Sequence, residues 1–162
     1  MYKINISSRT LHFLRPAGTS RGVYTTRKSY YVTLSDTNQP DVVGIGECAT
    51  LPDLSCDAMT DEEYEQKLRS FCDDFCHTGV IDIDTMRPYP SMLFGLETAK
   101  AQLDAKGSIN FFNTAFGRGE EGITINGLVW MGTFDEMYQR LETKLKAGFR
   151  CVKLKIGAID FE

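Results

Sequence analysis

The period of hydrophobic residues changes twice along this chain, and those changes restrict its fold more than any other feature. Side chains alternate between faces in a strand and return to one face every three to four residues in a helix, so the period reports the element. Residues 1–50 alternate. Tyr2, Ile4 and Ile6 are separated by polar residues, and residues 11–14 form a second short apolar run. Residues 16–26 (PAGTSRGVYTT) read as a polar loop. Residues 29–34 (SYYVTL) and 42–49 (VVGIGECA) flank a cluster of turn formers at residues 35–41 (SDTNQPD). This predicts a small antiparallel meander containing a hairpin.

The helical period takes over at Thr60, which with Glu63 forms a capping box. Tyr64, Leu68, Phe71, Cys72 and Phe75 follow on one face, and Gly79 is placed to end the helix. A second helix is predicted over residues 91–106, with Met92, Leu93, Leu96, Ala99 and Leu103 inward and Gly107 as its stop. Gly95 lies inside it at a cost of about 1 kcal/mol against alanine. Residues 117–122 (GRGEEG) are polar and glycine-rich, so a boundary is expected near there. Beyond it residues 123–130 (ITINGLVW) predict a strand. Thr133 and Glu136 predict a capped helix carrying Phe134, Met137, Tyr138, Leu141 and Leu145, and residues 151–156 (CVKLKI) a second strand. A strand–helix–strand unit of this size places its strands parallel, and a single unit leaves sheet faces uncovered. The expected division is residues 1–107, a connection at 108–122, and an incomplete unit at 123–162.

Composition narrows the function classes. A net charge of −4 without a basic cluster argues against nucleic acid as a partner. No long apolar run predicts a membrane span, and the start lacks the apolar core of a signal peptide, so a cytoplasmic location is the default expectation. Five cysteines, an odd number, do not suggest a disulfide framework. Cys72, Cys76 and His77, with Cys56, could be read as metal ligands. Without a paired CxxC spacing, small buried thiols on a helix are the favoured reading.

Lys153 and Lys155 share one face of the last strand, and Val152, Leu154 and Ile156 the other. On a sheet with one face in water, two exposed lysines are ordinary. In a (β/α) barrel the apolar residues would pack on helices and the lysines would point inward. Like charge and desolvation would then lower their pKa values, and such a lysine can act as a proton-abstracting base. Lys155 stands near the carboxyl end of its strand, where barrel active sites gather.

Residues 144–157 (KLKAGFRCVKLKIG) resemble the second-strand region of enolase-superfamily barrels of the muconate-lactonizing type, whose KxK motif supplies the acid/base lysine. Residues 94–99 (FGLETA) resemble that family's helix before the barrel. Residues 44–49 (GIGECA) and 51–55 (LPDLS) resemble segments of its capping domain, and residues 19–24 (TSRGVY) its substrate-closing loop. The segments TSRGVY, GECATLPDLS and INGLVWMG are closest to the o-succinylbenzoate synthase branch.

The resemblance implies an α+β capping domain followed by the first βαβ unit of a truncated (β/α) barrel. It implies dehydration of 2-succinyl-6-hydroxy-2,4-cyclohexadiene-1-carboxylate to o-succinylbenzoate in menaquinone biosynthesis. Lys155 is the expected acid/base and Lys153 its tuning neighbour. Ser20, Arg21, Gly22, Val23, Leu51 and Pro52 are the expected substrate contacts, and Trp130 is read as packing. A Mg²⁺ stabilising the enediolate is implied, with its carboxylate ligands on later strands, so no metal site is expected in this chain and Asp160 and Glu162 are not ligands. The expected partner is a small-molecule carboxylate, with the missing barrel segment or a second copy as further partners. The chain by itself is expected to be inactive. A related racemase, dipeptide epimerase or cycloisomerase, N-acylamino acid racemization as a side activity, and a non-catalytic fragment or capping module stay open as alternatives.

Overall fold

Alternation in the first part of the chain builds a three-stranded antiparallel sheet in the order β1 (Tyr2–Thr19), β2 (Gly22–Asp36), β3 (Gln39–Ala49). The computed structural model describes residues 1–19, 22–51 and 54–156. Tyr30, Val32, Leu34 and Cys48 point to one face and are buried, while Val43 and Ile45 on the opposite parity are exposed. Each large apolar side chain buried in this way contributes roughly 1.5–3 kcal/mol.

The strands are longer than the sequence predicts. Residues 16–26 were expected as a loop, yet Ala17 pairs with Tyr24, Gly18 with Val23 and Thr19 with Gly22. The β-branched and aromatic residues Val23, Tyr24, Thr25 and Thr26 suit extended backbone, which outweighs the glycines. What survives of the irregularity is a slip between His12 and Ala17, around Pro16, which has no N–H to give to the ladder. Leu14 projects fully into solvent there.

Two helices close the sheet's apolar face. α1 (Asp61–Thr78) begins at the expected capping box, with Glu63 N–H donating to Thr60 Oγ1 at 3.3 Å and Thr60 N–H to Glu63 Oε2 at 3.1 Å. Its stripe of Tyr64, Leu68, Phe71, Cys72 and Phe75 is buried. Phe75 packs on Tyr2 and Tyr64 stacks on Tyr30, with ring centroids 4.8 and 4.9 Å apart. A short turn not anticipated from the sequence, α2 (Ile83–Met86), is capped by Asp82 through Thr85 N–H at 3.1 Å and buries Met86.

α3 (Pro90–Asp104) has no local side-chain cap. A distant residue supplies one: Asp57 Oδ2 accepts from Ser91 N–H at 2.8 Å and from Ser91 Oγ at 2.5 Å. The carboxylate is only 4% exposed, and a negative group suits the positive end of the helix dipole. The loop before α1 is thereby tied to the start of α3.

The β2–β3 register is regular across Gly44 and Gly46, with Gly44 opposite Leu34 and Gly46 opposite Val32. They allow backbone contact. A Cβ on Gly44 would overlap Ala99 O, one on Gly46 would overlap Gly95 O, and one on Gly95 would overlap Cys48 Sγ. α3 therefore lies almost directly on β3. Gln102 of α3 completes the seam by accepting from Ile45 N–H at 2.8 Å on the sheet edge.

Residues 105–126 hold no helix or strand. The chain then forms β4 (Gly127–Val129), α4 (Phe134–Lys146) and β5 (Val152–Leu154), with β4 and β5 parallel and Leu128 opposite Lys153. The strands expected over residues 123–130 and 151–156 are three residues each. A ladder needs a partner for each backbone group, and among the described residues these two strands pair only with one another. Val129 is fully buried and Met137 nearly so, while Ile123, Ile125, Leu128, Leu154 and Ile156 are exposed. The α+β layer and the parallel βαβ unit are the two parts the sequence predicts.

Candidate functional site

The β4–β5 pair places both lysines on one face, together with Leu128, because paired residues of neighbouring strands point the same way. Val129 and Gly127 turn to the other face, where α4 covers them. The ladder continues past the assigned strand end: Lys155 N–H donates to Val129 O at 3.0 Å. Lys155 thus stands at the carboxyl end of the parallel pair. Its pKa is lowered, first by a hydrogen bond with the Lys153 side chain, then by that neighbour's charge, and least by desolvation. The pairing effect expected from the KxK pattern is present, and the burial is not: Lys153 is exposed.

The turn after β4 is held from α4. Thr133 and Glu136 make a second capping box, with Thr133 N–H donating to Glu136 Oε2 at 2.9 Å. Arg140, one turn further, lies 3.8 Å from Glu136 and donates to both Trp130 O and Met131 O at 3.1 Å. Gly132 leaves room for this arrangement, since a Cβ there would stand 2.7 Å from Glu136 Oε2 and 2.9 Å from Arg140 Nη1. The Glu136 pKa is lowered, chiefly by the Thr133 N–H and next by Arg140. Arg15 also contributes, so the irregular stretch of β1 comes within electrostatic reach of this turn. Trp130, expected as packing, is 38% exposed.

Of the predicted loop contacts, Gly22, Val23 and Leu51 are among the described residues. Gly22 and Val23 begin β2, with Val23 exposed and Thr19 Oγ1 donating to Gly22 O at 3.0 Å. Leu51 opens a tight turn, its N–H donating to Ser55 Oγ at 3.0 Å and its carbonyl accepting from Leu54 and Ser55 N–H at 3.2 and 3.0 Å. Ser20, Arg21 and Pro52 lie outside the described residues, as do Asp160 and Glu162. A cleft of about 570 Å³ near this turn is lined by Arg27, Glu47, Leu54, Ser55, Asp57 and Ser91 among others, and contains neither lysine.

No group of three or more His, Cys, Asp or Glu side chains that could hold a metal occurs among the described residues. The described residues therefore do not fit a divalent-cation site. The cysteine alternative meets a further obstacle. Burial pushes the Cys72 thiol up to about 12 and raises Cys76 as well, and metals bind the thiolate. No helix among the described residues is long and apolar enough to cross a membrane.

No family model matches the chain. A curated relative, an o-succinylbenzoate synthase from Desulfotalea psychrophila, is 35% identical over 94% of this chain and 48% of its own length. The crystal structure of MenC from Desulfotalea psychrophila LSv54 superposes with a TM-score of 0.67 at 25% identity, covering 94% of this chain and 48% of that one. The o-succinylbenzoate synthase from Thermosynechococcus elongatus BP-1, complexed with Mg in the active site, shares the fold at TM-score 0.60 and 20% identity (98% and 43% covered). A dipeptide epimerase from Cytophaga hutchinsonii, complexed with Mg and D-Ala-L-Val, does so at 0.62 and 16% (96% and 44%). This chain spans about half the length of the curated relative that it matches. Over that span it is similar in sequence and in fold to o-succinylbenzoate synthase.

Proposed function

We propose that this chain supplies the acid/base lysine of an o-succinylbenzoate synthase. In the complete protein it would act in the dehydration of 2-succinyl-6-hydroxy-2,4-cyclohexadiene-1-carboxylate to o-succinylbenzoate, a step of menaquinone biosynthesis. The carrying observation is the lysine pair at the carboxyl end of parallel β5, with the Lys155 pKa lowered by Lys153. The relative from Desulfotalea psychrophila supports the choice of reaction.

Lys155, as the free amine, takes the proton α to the ring carboxylate. The C–O bond to the hydroxyl then breaks, the ring gains a double bond, and the same proton leaves with the hydroxyl as water. Lys153 keeps a population of Lys155 unprotonated. Gly22, Val23 and Leu51, with Ser20, Arg21 and Pro52, are the proposed substrate contacts. Mg²⁺ belongs to this proposal for the complete protein, since the Thermosynechococcus elongatus relative is complexed with Mg in its active site; its carboxylate ligands are proposed to lie outside residues 1–162. Residues 1–107 are proposed as the capping domain, 108–122 as the connection and 123–162 as the start of the barrel.

Replacing Lys155 with alanine in the complete protein should lower turnover by at least the roughly 10²–10⁴-fold typical of a lost general base. Arginine at that position should not rescue, because it stays protonated. Lys153→Ala should be damaging to a lesser degree. Near-normal turnover by a folded Lys155→Ala protein would sink the assignment. Epimerization of a dipeptide is the second reading, favoured by the fold shared with the Cytophaga hutchinsonii enzyme. Assaying the wild-type protein on both substrates separates the two.

A further inference from the structure

The turn that follows β4 is built more firmly than a connection between two short strands requires. Arg140 spends one guanidinium nitrogen on two successive carbonyls, those of Trp130 and Met131, both at 3.1 Å. Glu136 lies 3.8 Å from that guanidinium and is itself held by the Thr133 N–H, and Gly132 is left without a side chain where one would displace them. This effort fixes the backbone of Trp130, the chain's single tryptophan.

Register shows where that residue stands. Leu128 is opposite Lys153, and Lys155 N–H reaches Val129 O. That hydrogen bond carries the register one step past the strand ends, and continuing it sets Trp130 opposite Lys155. Alternation puts it on the face of Leu128, Lys153 and Lys155 and away from Val129 and α4. Neighbouring strands lie about 4.8 Å apart, so side chains paired in this way touch the same bound molecule. An indole left 38% exposed beside a lysine of lowered pKa, at the carboxyl end of a parallel pair, is a poor packing residue and a good wall for an unsaturated ring.

We propose that Trp130 contacts the substrate, its indole forming the surface against which the ring of an unsaturated cyclic carboxylate rests beside Lys155, and that Arg140 is a positioning residue acting through Trp130. This rests on the proposed function for the identity of the ring, though not for the placement of the indole. The wall favours a flat ring over an acyclic dicarboxylate.

The test is calorimetric binding to the complete protein, with o-succinylbenzoate as the ring probe and succinate as the acyclic control. Trp130→Leu should weaken o-succinylbenzoate by about tenfold, the upper range for loss of an aromatic contact, and leave succinate unchanged. Trp130→Phe should retain most of the affinity. Arg140→Met should weaken the ring probe less, and should add nothing in the Trp130→Leu background because its effect passes through the indole. Should Trp130→Leu fail to fold, Trp130→Met keeps apolar bulk without a ring and is interpreted the same way. Unchanged o-succinylbenzoate affinity in the leucine variant would overturn the proposal, as would an equal loss for succinate or no binding of the ring probe to the wild-type protein. Full additivity of the two substitutions would overturn the role of Arg140. Binding is independent of turnover, so a failed Lys155→Ala test would overturn the reaction without touching this result.

Discussion

The two parts of the chain handle the same problem differently. In the α+β layer, three strands turn one face to α1 and α3, and Phe75, Leu34, Leu68, Met92 and Leu96 are sealed between them. In the β4–α4–β5 unit Val129 and Met137 are the large apolar side chains buried among the described residues, and Leu128, Leu154 and Ile156 are exposed. An antiparallel sheet tolerates one face in water, whereas a parallel pair calls for cover on both. The first part closes its core with the residues it has. The second seals fewer side chains, and hydrogen bonds from Thr133 and Arg140 hold the turn after β4.

Glycine substitutions should break this comparison hardest. Gly46→Val would drive a branched side chain into the Gly95 carbonyl, and backbone cannot rotate away. The expected outcome is loss of the cooperative thermal transition, followed by far-UV circular dichroism. Gly132→Ala meets only the ends of Glu136 and Arg140. Those side chains can swing, so the transition should survive, with a changed emission maximum of Trp130. Equal damage by both substitutions would mean that the two parts are not packed differently.

Core truncation should give the next largest effect. Phe75→Ala removes a ring that is 1% exposed among residues of both helices and the sheet, and should cost about 3–5 kcal/mol in urea unfolding. Met137, at 7% exposed, has one helix and two short strands around it. Its truncation should cost about 2 kcal/mol, the low end for methionine to alanine, because the site can collapse around the gap. A Met137→Ala cost matching that of Phe75→Ala would show that α4 belongs to the main core.

Much of this contrast was legible in the sequence. The stripe from Tyr64 to Phe75, the capping boxes at Thr60 and Thr133, and the return to strand period at the second half follow from local chemistry, and the structure keeps them. What was not legible depended on distant partners. The cap that Asp57 gives α3 and the seam of Gly44, Gly46, Gly95 and Gln102 join residues from 34 to 57 positions apart, which no local pattern encodes. The ends of β4 and β5 were overestimated because apolar alternation records what a strand could pair with, and pairing also needs a neighbour. At the lysine pair, the KxK spacing predicts the shared face that the structure shows, while the contacts of Arg140 with Trp130 O and Met131 O join residues 10 and 9 positions apart across the turn, which no local pattern encodes.

The smallest expected effects belong to the two capping boxes, which are alike in sequence and differ in surroundings. Thr60→Ala should cost about 1 kcal/mol, the usual value for a lost N-cap, and should appear directly in the main transition. Thr133→Ala should leave that transition in place, since α4 contributes little to the sealed core. The partner carboxylates extend the comparison to pH. Glu63 is lowered by hydrogen bonds from Thr60 alone, side chain first. Glu136 is lowered by the Thr133 N–H and then by the charges of Arg140 and Arg15. A carboxylate whose folded pKa lies below its unfolded value near 4.5 adds stability above that pH and loses it as pH falls through the folded value. Both boxes should therefore weaken in acid, below about pH 4.5. Added salt should separate them, because screening acts on exposed charges and hardly on a short hydrogen bond. NMR titration of the two carboxyl groups in low and high salt should show the Glu136 pKa rising toward its ordinary value while that of Glu63 stays depressed. Equal salt responses would mean that Arg140 and Arg15 do not hold Glu136 in solution, and with that the clasp on the Trp130 turn would lose its anchor.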